Sequence, residues 1–387
     1  MVRLPHFDPL VAALGGGANT RLIGGVVRDT LRGEAVSDVD MATRLTPDDV
    51  IARLKSAQIK SVPTGIAHGT VTAVTAHGPV EITTLRRDVS TDGRRAIVAF
   101  TDDWRDDAAR RDFTINALSA DPETGEIFDY FGGQEDLATG RVRFIGDPLQ
   151  RIAEDHLRIL RFFRFFARFG RGDPDAAAYD ACAARANDLM TLSRERIASE
   201  LLKLLGYANP VRAIRLMLAR DILRPVLPEI FSADTLEQLV GREAGDGKPI
   251  RRLAALIGPN PAVAKDIAAR LKLSKALSKQ LITACGWTDP VLTVGALAYR
   301  LGVDSARDRL LLSGAYIMVL RDWTRPQFPI TGGTLINRGL ASGPLVAITL
   351  AQIESAWIEA GFPEDAGFDA LLDRVSPVST PARSAQK

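Results

Sequence analysis

Two aspartates two positions apart are the first residues whose spacing indicates chemistry. Asp38 and Asp40 fall in a short run of strand-forming residues, so both side chains point to one face of a strand. Two carboxylates on one face can share divalent ions, which activate one oxygen and stabilise the leaving oxygen of a phosphoryl transfer. Oxygen ligands favour Mg²⁺ over zinc. Glu81 lies in a later strand-like run and is either a third carboxylate of this site or a structural residue.

A Gly-Gly turn upstream gives the aspartates their context. Gly24 and Gly25 follow a short strand and precede a helix. The N–H groups at a helix start favour an anion, and glycines let a phosphate approach the backbone closely. Arg28 stands in the first turn of that helix, where its guanidinium can make two hydrogen bonds to a phosphate. A Gly-Gly pair alone is more often a simple turn, and an Asp-x-Asp pair alone a solvated strand face, but together they predict a nucleotide site.

Arginines dominate two later segments. Arg110 and Arg111 stand beside Thr114 and Asn116, and this set suits a triphosphate and a ribose, although a surface arginine pair at a helix start is the simpler interpretation. The segment 141–171 holds eight arginines against three acids, a net of about five positive charges by formal count. Arginine suits planar, bidentate recognition of phosphates and bases.

The run 152–169 predicts one long amphipathic helix with an apolar stripe and an arginine-bearing face. On such a helix Asp155 and Arg158 lie one turn apart, with an acceptor beside forked donors. The Watson–Crick edges of cytosine and adenine satisfy both groups, whereas guanine and uracil present the reversed pattern. Each buried mismatch costs about 1–3 kcal/mol, so the pair would select C and A without a nucleic-acid template. A charged helix face is otherwise usually just solvated.

These residues require a mixed α/β region followed by a helical one. Helical patterns occur early, at 26–32 and 47–57, between short strand-like runs. The strand-like runs are 21–23, 38–42, 70–75, 80–85 and 141–145. Beyond position 148 the pattern is helical and no strand-like alternation returns. The last stretch, 376–387, is rich in Ser, Pro and Ala and predicts a disordered tail.

The composition excludes several classes of protein. The 387 residues carry 49 Lys+Arg and 47 Asp+Glu, and this net charge of +2 excludes histone-like binding of nucleic acid, though not a local basic patch. The longest strongly apolar stretch, 310–320, is shorter than the roughly 20 residues that span a bilayer. The two cysteines offer no disulfide framework, so we expect a cytoplasmic protein. Together with four scattered histidines they also lack the spacing of a zinc site.

Six motifs occur in a fixed order along the chain: Gly24-Gly25-x-Val27-Arg28-Asp29, Asp38-x-Asp40, Arg110-Arg111-Asp112-Phe113-Thr114-x-Asn116-Ala117, Asp129-x-Phe131-Gly132-Gly133, Glu154-Asp155-x-x-Arg158-x-x-Arg161-x-x-Arg164-Phe165 and Glu195-Arg196-x-x-x-Glu200. In this order they resemble the class II CCA-adding enzymes, which are tRNA nucleotidyltransferases of the polymerase-β-like superfamily. Bacterial poly(A) polymerases share most of these motifs. The resemblance is dense over residues 20–205 and continues weakly to 362.

The resemblance implies an α+β protein with a polymerase-β-like nucleotidyltransferase head, built on a mixed or antiparallel sheet and followed by an all-helical neck, body and tail. The expected divisions are a catalytic head at 1–146, a neck for base recognition at 147–206, a body at 207–290, a tRNA-binding tail at 291–375 and a disordered C-terminus at 376–387.

The resemblance also implies roles for single residues. Asp38 and Asp40 are expected to bind Mg²⁺ and, with Glu81, to form the catalytic set. Asp155 and Arg158 are expected to read the incoming base. The expected nucleotide-binding residues are Gly24, Gly25, Arg28, Arg111, Asp112, Asp155, Arg158, Arg161 and Arg164, with Glu195, Arg196 and Glu200 supporting the pocket.

The expected function is template-independent addition of CCA to the tRNA 3′ end from CTP and ATP, with release of pyrophosphate. The segment 86–109 resembles the family's flexible loop at about full length, which favours complete CCA addition. The expected partners are tRNA, CTP and ATP, with no membrane and no obligate protein partner. The first alternative is a poly(A) polymerase or an A-adding enzyme of the same class. A non-catalytic RNA-binding protein and a small-molecule nucleotidyltransferase are the others, disfavoured by the intact aspartates and by the long helical half.

Overall fold

The computed structural model describes six stretches of the chain: 2, 4–36, 38–92, 95–288, 293–315 and 320–375. The chain forms two units, Met1–Ser232 and Ala233–Lys387. The predicted tail, 376–387, lies outside the described residues. Across the described stretches, none of the helices has both the length and the apolar character that a membrane crossing requires.

A seven-stranded mixed sheet forms the centre of the first unit. The strands of the described stretches are, in chain order, β1 Thr20–Ile23, β2 Val39–Thr43, β3 Lys60–Gly65, β4 Thr70–Thr75, β5 Gly78–Thr84, β6 Arg86–Asp92, β7 Arg95–Phe100, β8 Ser119–Ala120 and β9 Ile127–Phe128. The large sheet has the order β3-β4-β5-β2-β1-β8-β9, and β6 pairs with β7 separately. The β2–β5 pair is parallel and the other pairs are antiparallel.

A row of buried side chains across the sheet fixes which residues face the other side. Leu22, Met41, Ile82 and Val71 are partners in register on β1, β2, β5 and β4, and each is at most 1 % exposed. Because side chains alternate between the two faces of a strand, the neighbouring row lies on the opposite face. That row pairs Asp40 with Glu81. The parallel pairing of β2 with β5 thereby places these two carboxylates side by side.

The short helices of this region are α1 Asp8–Ala13, α2 Gly25–Leu31, α3 Pro47–Ser56, α4 Trp104–Ala109 and α5 Gly133–Thr139, of which α2 and α3 pack on the large sheet. The start of α3 shows why this segment is helical. The Thr46 hydroxyl accepts a hydrogen bond from the Asp49 N–H at 3.3 Å, and Pro47 occupies the first turn, where no N–H donor is needed.

The predicted strand at 141–145 is wrong. The structure has a single bridge there, between Phe113 and Phe144. The apolar residues that resemble a strand are instead buried by packing, since the Phe144 ring lies 4.8 Å from that of Phe113 and 6.0 Å from that of Phe162. The alternation of buried and exposed residues at 141–145 therefore reflects packing of aromatic rings and one bridge, not a strand of the sheet.

The single helix predicted at 152–169 is also wrong, because the structure divides it. The helices of this part of the first unit are α6 Pro148–Glu154, α7 Arg158–Phe169, α8 Ala176–Ala184, α9 Arg194–Leu205 and α10 Val211–Ala219. Between α6 and α7, Asp155 adopts extended backbone angles, and its side chain accepts from the Leu157 N–H at 3.2 Å. An aspartate that bonds to nearby backbone competes with helix formation, which explains the break.

The described residues of the second unit form helices and no strands. They are α11 Asp234–Arg242, α12 Pro249–Ile257, α13 Pro261–Arg270, α14 Lys275–Ala284, α15 Val294–Leu301, α16 Val303–Ser313, α17 Gly332–Asn337, α18 Pro344–Glu359 and α19 Asp365–Val375. Trp357 centres one core cluster, with its ring 5.6 Å from that of Tyr299 and 5.0 Å from that of Phe362. The prediction of an α+β protein with a sheet-containing head and a helical remainder is confirmed.

Candidate active site

A cavity of about 390 Å³ in the first unit collects most of the residues that the sequence singles out. Those that line it are Gly24, Gly25, Arg28, Asp40, Arg110, Arg111, Asp112, Asn116, Asp155, Arg158, Arg161 and Arg196. Asp38, Glu81 and Arg164 do not line it. The residues that line the cavity are separated by up to about 170 positions in the sequence, so the fold rather than local sequence assembles the site.

The start of α2 forms one end of the cavity. Gly24 has a φ of +66°, and a Cβ there would lie 3.2 Å from Nη1 of Arg111, so both the backbone angle and the close approach favour glycine. The buried Arg28 guanidinium donates to Oδ1 of Asn116 at 2.5 Å and to Oδ1 of Asp29 at 2.8 Å. Burial lowers the pKa of Arg28, and Asp29 opposes that shift. Arg28 is thus held by neighbours at the edge of a backbone cradle that suits a phosphate.

Asp107, which the sequence reasoning missed, holds two further arginines of this cavity. Its Oδ1 accepts from Arg110 at 2.8 Å, and its Oδ2 accepts from Arg111 at 3.2 Å. The Arg86 N–H at the start of β6 also donates to Oδ1, at 3.3 Å. Burial alone would raise the pKa of Asp107, but Arg111, Arg110 and the hydrogen bonds outweigh burial and lower it. Asp107 therefore connects the β6–β7 hairpin to both arginines.

Asp40 is the carboxylate of the predicted catalytic set that lines the cavity, and Glu81 is its partner in register on the neighbouring strand. Asp40 is half-buried, and Asp38 is exposed just before β2. Burial, together with the charges of Glu81 and Asp38, raises the pKa of Asp40 against the attraction of Arg111. Within the described stretches, no group of three or more His, Cys, Asp and Glu side chains is arranged to hold a metal ion. Mg²⁺ needs only one or two carboxylates when substrate phosphates supply further ligands, so Asp38 and Asp40 fit its chemistry.

Asp155 and Arg158 do not lie on one continuous helix as predicted, although the Arg158 N–H still donates to the Asp155 carbonyl at 3.0 Å. Helix α6 ends before Asp155, and Oδ2 of Asp155 accepts a hydrogen bond from Arg196 of α9 at 2.8 Å. Arg158 donates to Glu154 at 2.5 Å and to the Arg151 carbonyl at 2.8 Å. Asp155 and Arg158 both line the cavity, but each is oriented by its own partner.

The arginine face of α7 is also less free than its sequence indicates. Arg161 pairs with Asp112 at 2.5 Å. Arg164, a predicted nucleotide-binding residue, is buried beside Glu200 at 2.5 Å, outside the cavity lining. The excess of arginine in 141–171 is compensated by acids from elsewhere in the chain, which a local charge count cannot show.

Phe165 and Leu157 supply the apolar wall of the cavity, and neither was singled out as a site residue from the sequence. Guanidinium carbons lie 5.4 Å from the Phe165 ring centroid for Arg28 and Arg161, and 4.1 Å for Arg164. Such cation–π contacts help to orient charged groups that are partly removed from water. The signal available in the sequence was an aromatic residue among arginines, which resembles ordinary core composition.

Comparison with known proteins agrees with this geometry. Residues 20–143 match the Poly A polymerase head domain, and residues 174–234 match a probable RNA and SrmB-binding site of polymerase A. The crystal structure of the Bacillus stearothermophilus CCA-adding enzyme in complex with CTP covers 96 % of this chain and 98 % of its own, with a TM-score of 0.77 and 25 % identity. The Thermotoga maritima CCA-adding enzyme complexed with tRNA has a similar fold, with a TM-score of 0.68 at 22 % identity over 97 % of this chain and 96 % of its own.

Sequence similarity to one relative covers most of both chains. The Homo sapiens protein named CCA tRNA nucleotidyltransferase 1, mitochondrial, is 36 % identical over 363 residues, which are 88 % of this chain and 83 % of the relative. Identity of this extent, together with the fold and the ordered motifs, shows the family. The chain therefore belongs to the CCA tRNA nucleotidyltransferases, a family of transferase enzymes.

Proposed function

We propose that this chain adds C, C and A in turn to the 3′ end of tRNA from CTP and ATP. The observation that carries the proposal is one cavity in which a glycine cradle with Arg28 and Arg111, an Asp40 carboxylate, and the Asp155–Arg158 pair face a common space. These groups suit a triphosphate, a reacting centre and a base respectively. The CCA enzymes among its relatives favour complete CCA addition over the A-adding alternative.

The reaction exchanges one phosphorus–oxygen bond for another. The oxygen of the RNA 3′-hydroxyl gives up its proton to solvent and bonds to the α-phosphorus of the nucleotide. The bond from that phosphorus to the bridging oxygen breaks, and pyrophosphate leaves. Arg28 and Arg111 bind the triphosphate and stabilise its charge. Asn116 keeps Arg28 in place, and Asp107 does the same for Arg111.

Asp38 and Asp40 are the proposed ligands of Mg²⁺, with Glu81 beside them. Burial and, after it, the negative charges of Glu81 and Asp38 raise the pKa of Asp40, and a bound cation would favour its ionised form. When bound, Mg²⁺ supplies Lewis-acid stabilisation of the phosphate oxygens. Asp40 and Glu81 remain fixed in register by the parallel pairing of β2 with β5.

Base selection is assigned to the break between α6 and α7. Asp155 would accept a hydrogen bond from the amino group of cytosine or adenine, and Arg158 would donate to the adjacent ring nitrogen. Arg196 and Glu154 hold these two side chains in position. Guanine and uracil would oppose an acceptor to an acceptor and a donor to a donor, which leaves buried polar groups unpaired.

The proposal includes the divisions of the chain and its location. We propose four functional regions: a catalytic head at 1–146, a neck at 147–206, a body at 207–290 and a tRNA-binding tail at 291–375. A cytoplasmic location is supported by Cys182 and Cys285, which are both buried and unpaired, as suits a reducing compartment. Cell fractionation that finds the chain within an organelle would contradict this last point.

The test uses purified protein, Mg²⁺ and a tRNA transcript that ends at the discriminator base. CTP alone, ATP alone, both together, GTP and UTP are supplied separately, and products are resolved at single-nucleotide length. We expect growth by two residues with CTP, and growth by three followed by a stop with both. A ladder of A residues, or extension of a transcript already ending in CC and of no other, would support the A-adding alternative instead.

A further inference from the structure

A second cavity in the first unit shares no lining residue with the candidate active site. Its volume is about 370 Å³. The end of α2, helix α5 and Arg171, which lies two positions after α7, supply its lining. The lining residues are Leu31, Arg32, Gln134, Leu137, Ala138 and Arg171. None of the chemistry proposed above uses them.

The lining combines groups that fit the separate parts of a nucleotide. Arg32 and Arg171 offer two guanidinium groups, which suit a phosphate. Gln134 offers an amide that can both donate and accept, and Leu31 and Leu137 offer apolar surface for a sugar or base. Apolar walls with a few convergent polar groups are typical of small-ligand sites.

The charges favour an anion in this cavity. Arg32 pairs with Glu34 through Nε at 2.7 Å. Arg171 is exposed, and among the described residues its guanidinium has no acidic side chain within ion-pair distance. A guanidinium without an acidic partner is available to bind a phosphate, and Arg32 contributes further positive potential beside it.

The backbone holds Arg171 in place. The Arg171 N–H donates to the Gly140 carbonyl at 2.9 Å. Gly140 ends α5 with a φ of +76°, and a Cβ there would lie 2.6 Å from Cγ of Arg171. Glycine at this position therefore lets the stem of Arg171 pack against the end of α5, which reduces the entropy lost when its guanidinium binds a ligand.

We propose that this second cavity binds one nucleoside phosphate unit, and that the unit belongs to the RNA substrate. Its size supports one unit, because the candidate active site, which we assign to a single nucleotide, has nearly the same volume. A nucleotide within an RNA chain is favoured over a free nucleotide because Gln134, Ala138 and Arg171 are exposed. The RNA can therefore continue beyond the cavity on either side. A free nucleotide has the same chemistry and is the other source to be distinguished. The inference rests on the proposed function for the identity of the RNA.

The test compares two variants that block the cavity by different means. Arg171→Glu reverses the charge, and Ala138→Phe fills the space from an exposed helical position. Arg53→Glu, at an exposed arginine on α3, is the matched control. Fluorescence anisotropy measures the Kd of a labelled tRNA transcript that ends at the discriminator base, without nucleotide or Mg²⁺. We expect both variants to weaken RNA binding by about tenfold or more, as for the loss of one charged hydrogen bond, and the control to change it less than about twofold.

Salt dependence and nucleotide kinetics identify the source of the ligand. With Arg171→Ala, the slope of log Kd against log salt should fall by about one, because one phosphate contact is lost. The KM for CTP should stay within about twofold of the wild-type value, since the residue lies outside the active site. A raised KM for CTP with unchanged RNA binding would assign the cavity to free nucleotide and overturn the RNA source.

Unchanged RNA binding and unchanged KM in both blocking variants would overturn the site itself. Thermal unfolding of each variant checks that its fold is retained. Because binding is measured without catalysis, a wild-type protein that binds the transcript but adds no CCA would contradict the proposed function and leave this test intact.

Discussion

The base choice that we propose depends on a carboxylate that is positioned from another helix. Asp155 accepts from Arg196 at 2.8 Å, while Glu154 holds Arg158. Asp155→Ala removes the acceptor that the amino groups of cytosine and adenine require. We expect the preference for CTP over UTP to fall by about 10–100-fold, the worth of one hydrogen bond to a charged group. The ratio of kcat/KM for the two nucleotides on one tRNA measures it.

Asp180→Ala is the control for that measurement, because Asp180 is exposed and pairs with the exposed Arg220. It should leave the ratio unchanged. If Asp155→Ala keeps the wild-type ratio, Asp155 does not read the base.

Asp112 links Arg161 of α7 to Asn116, and its titration should be visible in stability. It accepts from Arg161 at 2.5 Å and from Asn116 at 2.9 Å. Burial alone would raise the pKa of Asp112, but Arg161 and the hydrogen bonds from Asn116 and Phe113 outweigh burial and lower it. A carboxyl with a depressed folded-state pKa stabilises the fold above its unfolded pKa of about 3.9 and loses that contribution as pH falls toward the folded value.

We therefore expect Asp112→Asn to lower the free energy of unfolding at neutral pH by about 1–3 kcal/mol. The difference from wild type should shrink as the pH is lowered below about 4, because the wild-type carboxyl then becomes protonated as well. Urea unfolding at several pH values measures this, with Asp180→Asn as the exposed control. A difference that is constant down to the acid limit of folding would argue against the ion pair as its cause.

Among the structural elements, the β6–β7 hairpin is tied to the cavity through the Asp107 carboxylate. Asp107 accepts from the Arg86 N–H and from both Arg110 and Arg111. Asp107→Ala should free both arginines and raise the KM for CTP and ATP by about tenfold, the cost of one lost charged hydrogen bond. Asp107→Asn keeps an acceptor and should recover part of the loss, which a purely steric defect would not show.

The neighbouring residue provides a matched control for Asp107. Asp106 lies on the same helix but accepts from Thr101, at 3.4 Å, rather than from an arginine of the cavity. Asp106→Ala should leave both KM values near wild type. Equal effects of the two alanine variants would indicate damage to α4 instead of loss of arginine positioning.

The order of motifs predicted the cavity well, whereas local periodicity misplaced the elements around the neck. Gly24, Asp40 and Arg111 could be found because glycine cradles, paired carboxylates and arginine pairs have few other uses in that order. The break at Asp155 could not, since an aspartate within an apolar-periodic run is also compatible with a continuous helix. The partner Arg196, about 40 positions away, depends on the packing of α9 beside α7, which no local pattern contains.

At the scale of the whole molecule, the two units place their paired arginines in different environments. In the first unit, the paired arginines surround a cavity and can exchange partners with a ligand. In the second, Arg251 is fully buried, with Glu243 and Asp308 each at 2.8 Å. Arg252 also pairs with Glu243, at 2.7 Å. A buried network of this kind is compensated internally, so the loss of Arg251 leaves two buried carboxylates with less compensation. Glu243 keeps its pair with Arg252, and Asp308 keeps the hydrogen bond from the Gln280 amide at 3.2 Å.

Arg251→Ala should therefore lower the free energy of unfolding by about 3–5 kcal/mol, because Glu243 and Asp308 lose their shared partner. Arg338→Ala is the matched control in the same unit, since its pair with Asp373 at 2.5 Å is 33 % and 64 % exposed at its two side chains. An exposed pair contributes about 0–1 kcal/mol, so the control should unfold close to wild type. Chemical denaturation followed by circular dichroism measures both. Arg251→Met, which removes the charge but keeps much of the volume, should be as damaging as alanine if the stranded carboxylates are the cause. A methionine variant close to wild-type stability would instead assign the cost to lost packing.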